Sequence, residues 1–214
     1  MKTLTPAVAP RGGARERLID AAGEIFGELG YHGATVRDIT KKAGVNLAAI
    51  NYYFRDKEEL YWEVLRHAVK AALASDAPVA ADRSPEEQLH AFIEDFLRHM
   101  LDPKRPEWHG KLISREMSSP TRLLDILVET DIRPKRDLLQ KIVETISKSP
   151  LSENQLSLCC ASIMGQCVHY RHSMPVLERL YPDLLKGEPP IEMLAAHITA
   201  FSLAGIRGLN SKTA

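Results

Sequence analysis

The 214-residue chain has few cysteines, few aromatic residues and no long apolar run. Its three cysteines are an odd number, so we do not expect a disulfide framework, and a reducing compartment is favoured. No apolar run approaches the length of a membrane helix, and no signal-peptide pattern is present. We therefore expect a cytoplasmic protein with no membrane partner.

The short motifs that many enzymes use are also missing. The sequence contains no G-x-S-x-G, no glycine-rich phosphate loop and no H-E-x-x-H, so we expect neither a catalytic residue nor a cofactor. One segment is rich in groups that bind metals or become oxidised: Cys159, Cys160, Cys167, His169 and His172. Without a C-x2-C pair, a zinc site would need His109 or His197 to complete it, and we predict no metal. A redox-sensing thiol stays an alternative.

Net charge does not point to a nucleic-acid partner for the whole chain, because 28 basic residues balance 28 acidic ones. The charge is unevenly distributed, however. Residues 1–57 carry nine lysines and arginines against six acidic residues, and the remainder carries the opposite excess. This asymmetry favours a nucleic-acid partner at the N-terminal end.

A helix-turn-helix pattern occupies the stretch that ends at Lys57. Thr35 is a good N-cap, and Asp38 three residues later approximates a capping box. Gly44 supplies a left-handed position after the first short helix, and Asn46 can cap the second. Two short helices joined in this way place the second helix in a DNA major groove.

The outward face of the second helix carries groups suited to DNA. Asn51 can pair with an adenine edge and Arg37 with a guanine edge, while tyrosine hydroxyls and a lysine can bind phosphates. Alternatively, Tyr52 and Tyr53 are half-buried core residues and the lysines only solvate the surface. The residues that we predict to bind DNA are Thr35, Val36, Arg37, Asn46, Leu47, Ala48, Ala49, Asn51, Tyr52, Tyr53 and Lys57.

Several motifs within residues 15–65 together carry a family resemblance. They are a first-helix stripe of Leu18, Ala22, Ile25 and Leu29, followed by Gly33 to Ile39, Ala43 to Val45, Tyr53-Phe54 and Lys57 to Leu60. This region resembles the DNA-binding domain of the TetR/AcrR family of bacterial regulators. One position departs from the family: Asn51 stands where the family usually has a tyrosine that touches DNA. The resemblance therefore does not imply a particular operator sequence.

Helical periodicity continues after Lys57 without strand alternation, so we predict an all-α protein. It should have an N-terminal three-helix helix-turn-helix DNA-binding domain and a larger C-terminal helical ligand-binding and dimerisation domain. The expected segments are a flexible N-terminal arm (1–13), the helix-turn-helix domain (14–60), a connecting helix and linker (61–83) and the C-terminal regulatory and dimerisation domain (84–214).

Prolines punctuate the C-terminal half. Ser84 followed by Pro85 predicts a helix start, and Pro134 should interrupt a helical stretch that begins near Pro120. A helix from about residue 152 to 171 should end before a proline-rich loop that contains Pro175. A last amphipathic helix should cover residues 191–207.

The C-terminal half resembles the CerR-type regulatory domain of one branch of the family. The motifs are Arg115-Glu116, Ser119 to Thr121, Ile132 to Pro134 and Ile163 to Cys167. The family resemblance implies that the last two helices of each subunit form a four-helix dimer interface, although the final helix could instead close its own subunit's core. The interface residues that we expect are Leu158, Ile163, Leu194, Ile198, Phe201 and Leu203.

A pocket for a small-molecule effector is expected among the middle helices. Polar and aromatic residues within apolar helices are the candidate contacts, because an unpaired buried charge needs a partner or a ligand. Alternatively, Arg115 and Glu116 pair with neighbouring groups and Met164 only fills space. The candidate ligand-binding residues are Trp108, His109, Arg115, Glu116, Met164, Gln166, Cys167 and Tyr170.

These features predict a homodimeric transcriptional repressor that a small-molecule ligand releases from a palindromic operator in double-stranded DNA. A transcriptional activator, or a thiol- or redox-responsive regulator on the same scaffold, is the main alternative. A small cytosolic enzyme is the alternative from another class of protein.

Overall fold

The computed structural model describes residues 13–73, 82–183 and 190–210. These ranges contain ten α-helices, one short π-helical segment and no strand, which confirms the all-α fold class. The helices are α1 (Ala14–Gly33), α2 (Val36–Ala43), α3 (Ala48–Phe54), α4 (Lys57–Leu73), α5 (Pro85–Met100), α6 (Glu107–Ser118), α7 (Leu123–Leu127), α8 (Arg133–Ile146), α9 (Glu153–Leu180) and α10 (Ile191–Asn210), with the π-helical segment at Val128–Ile132.

The helices form two compact units. The first unit contains the described parts of Met1–Val69 together with Arg105–Asp125, and the second contains those of Lys70–Lys104 and Ile126–Ala214. Helix α6 is therefore grouped with the N-terminal helices, although the sequence interpretation assigned residues 84–214 to one C-terminal domain. Residues 1–12 of the predicted arm, residues 74–81 of the predicted linker and Pro189 lie outside the described residues.

The core of the first unit forms where α1 packs against α4 and α6. Phe26 of α1 is fully buried, and its ring meets the ring of Tyr61 edge-on at 4.8 Å between centroids. Trp108 of α6 lies directly on Gly23 of α1, where a Cβ atom would stand 2.4 Å from the indole ring. Glycine at position 23 thus permits α6 to approach α1 at this point.

The buried stripe of α1 differs from the prediction. Leu18, Ala22 and Phe26 are fully buried, whereas Leu29, which was expected on the same stripe, is 53% exposed. Positions 18, 22 and 26 are spaced by four residues and define the buried face. Gly30 then takes φ 73°, which only glycine adopts readily, and interrupts the helix.

The second unit has a separate apolar core built by α5, α8, α9 and α10. Its α5 begins as predicted, with Pro85 in the first turn and a capping box in which the Ser84 backbone N–H donates to Glu87 Oε2 at 2.8 Å. The buried residues at its centre, all with no exposed surface, are Leu89, Ile93, Leu97, Leu139, Val143, Cys167 and Ala195.

Two prolines behave differently in this unit. Pro134 lies in the first turn of α8, directly after the π-helical segment; the backbone at Ile132 and Arg133 stays helical, so the path changes from π-helix to α-helix there without a break. The prediction that a loop follows residue 171 was wrong, because α9 continues through Pro175 to Leu180. Pro175 and Arg171 are both exposed, so the proline lies on the solvent-facing side of α9.

Candidate nucleic-acid interface

The first helix of the helix-turn-helix begins at the predicted cap. The Asp38 backbone N–H donates to Thr35 Oγ1 at 3.1 Å, and the Thr35 hydroxyl donates to the Asp38 carboxylate at 2.5 Å. Ile39 is fully buried and Ala43 nearly so, which anchors the inner face of α2. The opposite face, with Arg37, is exposed.

The turn between α2 and α3 depends on Gly44 and Asn46. Gly44 adopts φ 64° and ψ 39°, and a Cβ atom there would meet no other atom within 4 Å, so the backbone conformation alone favours glycine. The Ala48 backbone N–H donates to Asn46 Oδ1 at 3.0 Å, which confirms the predicted capping interaction. The turn therefore sets where α3 starts.

Helix α3 has a narrow buried face and a wide exposed one. Ile50 and Phe54, four residues apart, are almost fully buried. Tyr52 is 80% exposed and Tyr53 is 38% exposed, so neither ring belongs to the core. Their rings meet edge-on at 4.7 Å, and Asn51 is exposed beside them.

The predicted DNA-binding residues fall on four adjacent pieces of chain: the start of α2, the turn, α3 and the first residue of α4. Three of the eleven, Val36, Ala49 and Lys57, are half-buried. The exposed members are Thr35, Arg37, Asn46, Leu47, Ala48, Asn51, Tyr52 and Tyr53. This surface is polar and aromatic, with little apolar area apart from Leu47 and the two alanines.

The connection from α3 to α4 contains a residue with a strained backbone, followed by the N-cap of α4. Arg55 has φ 55°, an uncommon conformation for a residue with a side chain, and sequence reasoning did not indicate it. Asp56 Oδ1 accepts from the Glu59 backbone N–H at 2.8 Å, and this bond holds the pKa of Asp56 below its usual value. The strained residue directly follows α3 and directly precedes the cap of α4.

Lys57 is less free than the sequence suggested. Its Nζ lies 4.6 Å from the centroid of the Tyr31 ring, and burial lowers the pKa of the ammonium group. Lys42 is also engaged, since its Nζ lies 2.5 Å from Glu24 Oε2 and this hydrogen bond raises the pKa of Lys42. Arg37, Lys41 and Lys42 are all exposed on α2, and of these Lys42 is the one that forms the ion pair with Glu24.

Four of the candidate ligand-binding residues lie on α6 in the first unit, where Trp108, His109 and Glu116 are buried and Arg115 is exposed. Glu116 is 1% exposed: its Oε2 accepts from the Tyr61 hydroxyl at 2.6 Å, and its Oε1 accepts from the Thr121 backbone N–H at 2.7 Å. Burial, together with this carboxylate, raises the pKa of Tyr61. Arg115 Nη2 donates to the Glu28 carbonyl at 2.7 Å, at the end of α1.

Trp108 and His109 are buried beside each other. His109 Nδ1 accepts from Arg105 Nε at 3.1 Å, while Nε2 is buried without a hydrogen-bond partner among the described residues. Burial, with smaller contributions from the Arg105 charge and His67, lowers the pKa of His109 to about 4. The imidazole is therefore neutral at physiological pH.

The other four candidate ligand-binding residues belong to the second unit. Cys167 is fully buried, and Met164, Gln166 and Tyr170 are half-buried. Gln166 Nε2 donates to the Ser162 carbonyl at 3.3 Å. The eight candidates are thus divided evenly between the two units.

Burial disfavours the thiolate form of the cysteines. Burial raises the pKa of Cys160 to about 11 and that of Cys167 to about 12, which opposes formation of the thiolate. Burial also raises the pKa of Cys159. Within the described residues, no three histidine, cysteine or acidic side chains are grouped so that they could hold a metal ion.

The six expected dimer-interface residues divide into two groups. Ile163, Leu194 and Ile198 are at most 3% exposed and pack in the core of their own unit. Leu158 and Phe201 are 67% and 64% exposed, and Leu203 is partly buried. Two large apolar side chains on α9 and α10 thus have no cover within the subunit.

In the part of the chain that the structure describes, none of the helices combines the length and apolar character that crossing a bilayer requires.

Comparison with known proteins places both halves of the chain in families of regulators. Residues 18–64 match the family of bacterial regulatory proteins of the tetR type. Residues 85–206 match the C-terminal domain of the HTH-type transcriptional dual regulator CecR, which corresponds to the CerR-type domain expected from Arg115 to Cys167.

Individual relatives agree with this. The chain is 30% identical over 178 residues to the HTH-type transcriptional dual regulator CecR of Shigella flexneri, covering 78% of this chain and 79% of that protein. It is 27% identical over 199 residues to the HTH-type transcriptional regulator RutR of Escherichia coli K12, covering 90% of each.

A solved structure shows the same fold. The crystal structure of HlyIIR, a hemolysin II transcriptional regulator, covers 87% of this chain and 97% of its own with a TM-score of 0.59 at 22% identity. The matched relatives are regulators rather than enzymes. The chain therefore belongs to the TetR family of bacterial regulatory proteins and is a DNA-binding transcriptional regulator with an N-terminal helix-turn-helix and a CecR-type C-terminal domain.

Proposed function

We propose that this regulator is a homodimeric repressor that occupies a palindromic operator and leaves it when a small molecule binds. The exposed polar and aromatic face of α3, beside a core of Ile50 and Phe54, carries the proposal. A helix that buries one narrow face and presents the other is suited to entering a major groove. The protein would act in the cytoplasm, where its DNA is.

Each subunit would use different groups to read bases and to hold the backbone. Asn51 is exposed on α3 and can make two hydrogen bonds to an adenine edge. The exposed hydroxyls of Tyr52 and Tyr53 can bind phosphate oxygens. Lys57 would add a phosphate contact from its position beside the Tyr31 ring, over which its ammonium group lies. Ala48, exposed at the start of α3, would let the helix approach the bases closely.

The dimer would form through the exposed stripes of α9 and α10. Leu158 and Phe201 supply apolar area, and the exposed glycines Gly165, Gly205 and Gly208 leave room for a partner helix, since a Cβ atom at any of them would meet nothing within 4 Å. Two helices from each of two subunits then bury both stripes. Ile163, Leu194 and Ile198 would support this surface from inside the subunit.

The effector would act by a shift in population between two arrangements of the dimer. Ligand that favours one arrangement moves the two recognition helices away from the spacing of successive major grooves. Helix α4 begins directly after the helix-turn-helix and is the element through which the change would reach α3. The candidate contacts for the ligand stay those on α6 and α9.

A gel-shift titration with the DNA that flanks the protein's own gene tests this function. We expect salt-sensitive binding to a palindromic segment, with one dimer bound to each site. Absence of any such binding in low salt would contradict the proposal.

An activator is the second candidate function, because the CecR relative is named a dual regulator. Deletion of the gene separates the two modes: transcripts of the target rise if the protein represses and fall if it activates. A thiol-responsive regulator is less well supported, because burial raises the pKa of Cys160 and Cys167 and disfavours their thiolates.

A further inference from the structure

A cavity of about 710 Å³ lies within the first unit, where the end of α1 meets the start of α4 and the segment that follows α6. Its volume is within the range of roughly 300–1,000 Å³ that small-molecule sites occupy. No residue of α3 lines it, whereas Arg115, one of the candidate ligand contacts on α6, does.

One side of the cavity is aromatic and apolar. The rings of Tyr31 and Tyr61 both line it and lie 5.1 Å apart at an angle of 61°. Leu29, the residue expected in the core but 53% exposed, also lines it, as does Leu123. Tyr61 and Leu123 are buried, so the open apolar surface comes from Leu29 and the half-buried Tyr31, and a flat apolar ligand would cover it.

The other side carries donors for an anion. Arg115 and Arg122 both line the cavity, and Glu58 is the single acidic side chain among its lining residues. Two nitrogens of Arg115 donate to carbonyls at the end of α1, at 3.3 Å to Gly27 and 2.7 Å to Glu28. Its third nitrogen, Nη1, makes no hydrogen bond to any described residue.

The absence of a side chain at Gly30 makes room for Arg115 Nη1. A Cβ atom at Gly30 would stand 3.0 Å from that nitrogen, and Gly30 itself lines the cavity. The Arg122 side chain is 78% exposed and forms an ion pair with Glu58, so a carboxylate can reach it from solvent. A carboxylate that met both guanidinium groups would gain charge-assisted hydrogen bonds.

We propose that this cavity binds a small aromatic carboxylate. The ring lies against Tyr31 and Leu29, and the carboxylate accepts from Arg115 Nη1 and from Arg122. Glu58 is the second residue of α4, so the bound ligand touches the helix that starts directly after the helix-turn-helix. The identification of this ligand as the effector rests on the proposed function. The existence of the binding site rests only on the cavity and its lining residues.

The test measures binding of benzoate and naphthoate to the full-length protein by calorimetry and saturation-transfer NMR, with benzamide as the neutral analogue. Ser119→Trp fills the cavity from an exposed position with ordinary backbone angles. Arg122→Gln removes one guanidinium group. Arg136→Gln is the matched control, because Arg136 is an exposed arginine of the second unit that pairs with a neighbouring aspartate.

We expect carboxylate binding that exceeds amide binding, and a rise of about tenfold in Kd for Ser119→Trp and Arg122→Gln with none for Arg136→Gln. Equal affinity of Ser119→Trp and the parent, or no binding of either carboxylate at millimolar concentration, would overturn the inference. All variants are first checked by circular dichroism for parental helicity and melting temperature.

The gel-shift titration of the unliganded protein keeps this inference separate from the proposed function. If the parent protein binds no operator but binds benzoate, and Ser119→Trp weakens benzoate binding, the proposed repressor function is contradicted and the proposed ligand site is supported. If the protein binds its operator but neither benzoate nor naphthoate, the proposed ligand site is contradicted and the proposed DNA-binding function is supported.

Discussion

The Tyr61 hydroxyl donates a 2.6 Å hydrogen bond to the buried carboxylate of Glu116, joining α4 to α6 across 55 residues of sequence. The same carboxylate accepts from both the backbone N–H and the hydroxyl of Thr121. Each of these three donors offsets part of the cost of burying the carboxylate, so removing one is destabilising. The pair therefore fixes α6 against the start of α4 in the first unit.

Loss of the Tyr61 hydroxyl should weaken this joint without leaving a cavity. We expect Tyr61→Phe to lower the free energy of unfolding by about 1–2 kcal/mol, because one charge-assisted hydrogen bond is lost and Glu116 stays buried. Urea unfolding followed by circular dichroism measures the change. Glu107→Gln, on the exposed side of α6, is the control and should change stability little. Equal losses in both variants would show that the buried bond contributes nothing specific.

Local features of the fold were predictable, whereas contacts between distant segments were not. The Thr35 cap, the left-handed Gly44 and the Asn46 cap each depend on residues within three positions, so spacing alone indicated them. The carbonyl contacts of Arg115 join residues 87 and 88 positions apart. Periodicity identifies a buried face but does not say which helix covers it.

The same limit explains the outcome for the ligand-binding candidates. Glu116 was chosen because a buried charge needs a partner, and the partners turned out to be Tyr61 and Thr121 of the protein itself. Pro175 was expected to follow the end of the helix, because a proline removes one backbone hydrogen bond inside a helix. The free-energy cost of that loss depends on whether the freed carbonyl can reach water, which the sequence does not show. The cavity beside Leu29 had no sequence pattern at all, since its walls come from three separate segments.

Gly44 should be needed for its backbone conformation and not for space. We expect Gly44→Ala to lower the free energy of unfolding by about 1 kcal/mol, because φ 64° is unfavourable for a residue with a Cβ atom. Operator binding should weaken as well, since the turn orients α3. Thermal unfolding and fluorescence anisotropy with labelled operator measure the two effects. Gly13→Ala, at φ −65°, should affect neither.

Asn51 and Lys57 should affect DNA binding in different ways. Asn51→Ala should reduce affinity for the cognate operator by about 1–3 kcal/mol and relax the base preference, because a bidentate base contact is lost. Lys57→Ala should weaken binding to all sequences alike and reduce its salt dependence. Anisotropy titrations against an operator and its single-base variants distinguish them. The same loss on every sequence for both variants would refute this division.

Phe201 should be part of the subunit interface. We expect Phe201→Asp to shift the protein from dimer to monomer in sedimentation velocity, because a charge would replace an exposed aromatic side chain at the proposed interface. Met117→Asp, on α6 of the first unit and 49% exposed, is the matched control and should leave the dimer intact. A monomeric parent protein, or a dimer that survives Phe201→Asp, would contradict the proposed interface.

His109 should make the stability of the protein depend on pH below neutrality. Its pKa is about 4 in the folded protein and about 6.5 when unfolded, so the unfolded chain binds more protons between these values. The contribution to stability is complete above the unfolded pKa and is lost as pH falls toward the folded one. We expect a loss of about 2 kcal/mol from pH 7 to about pH 4.5, measured by urea unfolding. The glutamine amide of His109→Gln does not titrate, so the part of the pH dependence of stability that is due to His109 should disappear in this variant. The control His32→Gln, at an exposed position, should keep the pH dependence of the parent. An unchanged slope in His109→Gln would show that other groups control the acid sensitivity.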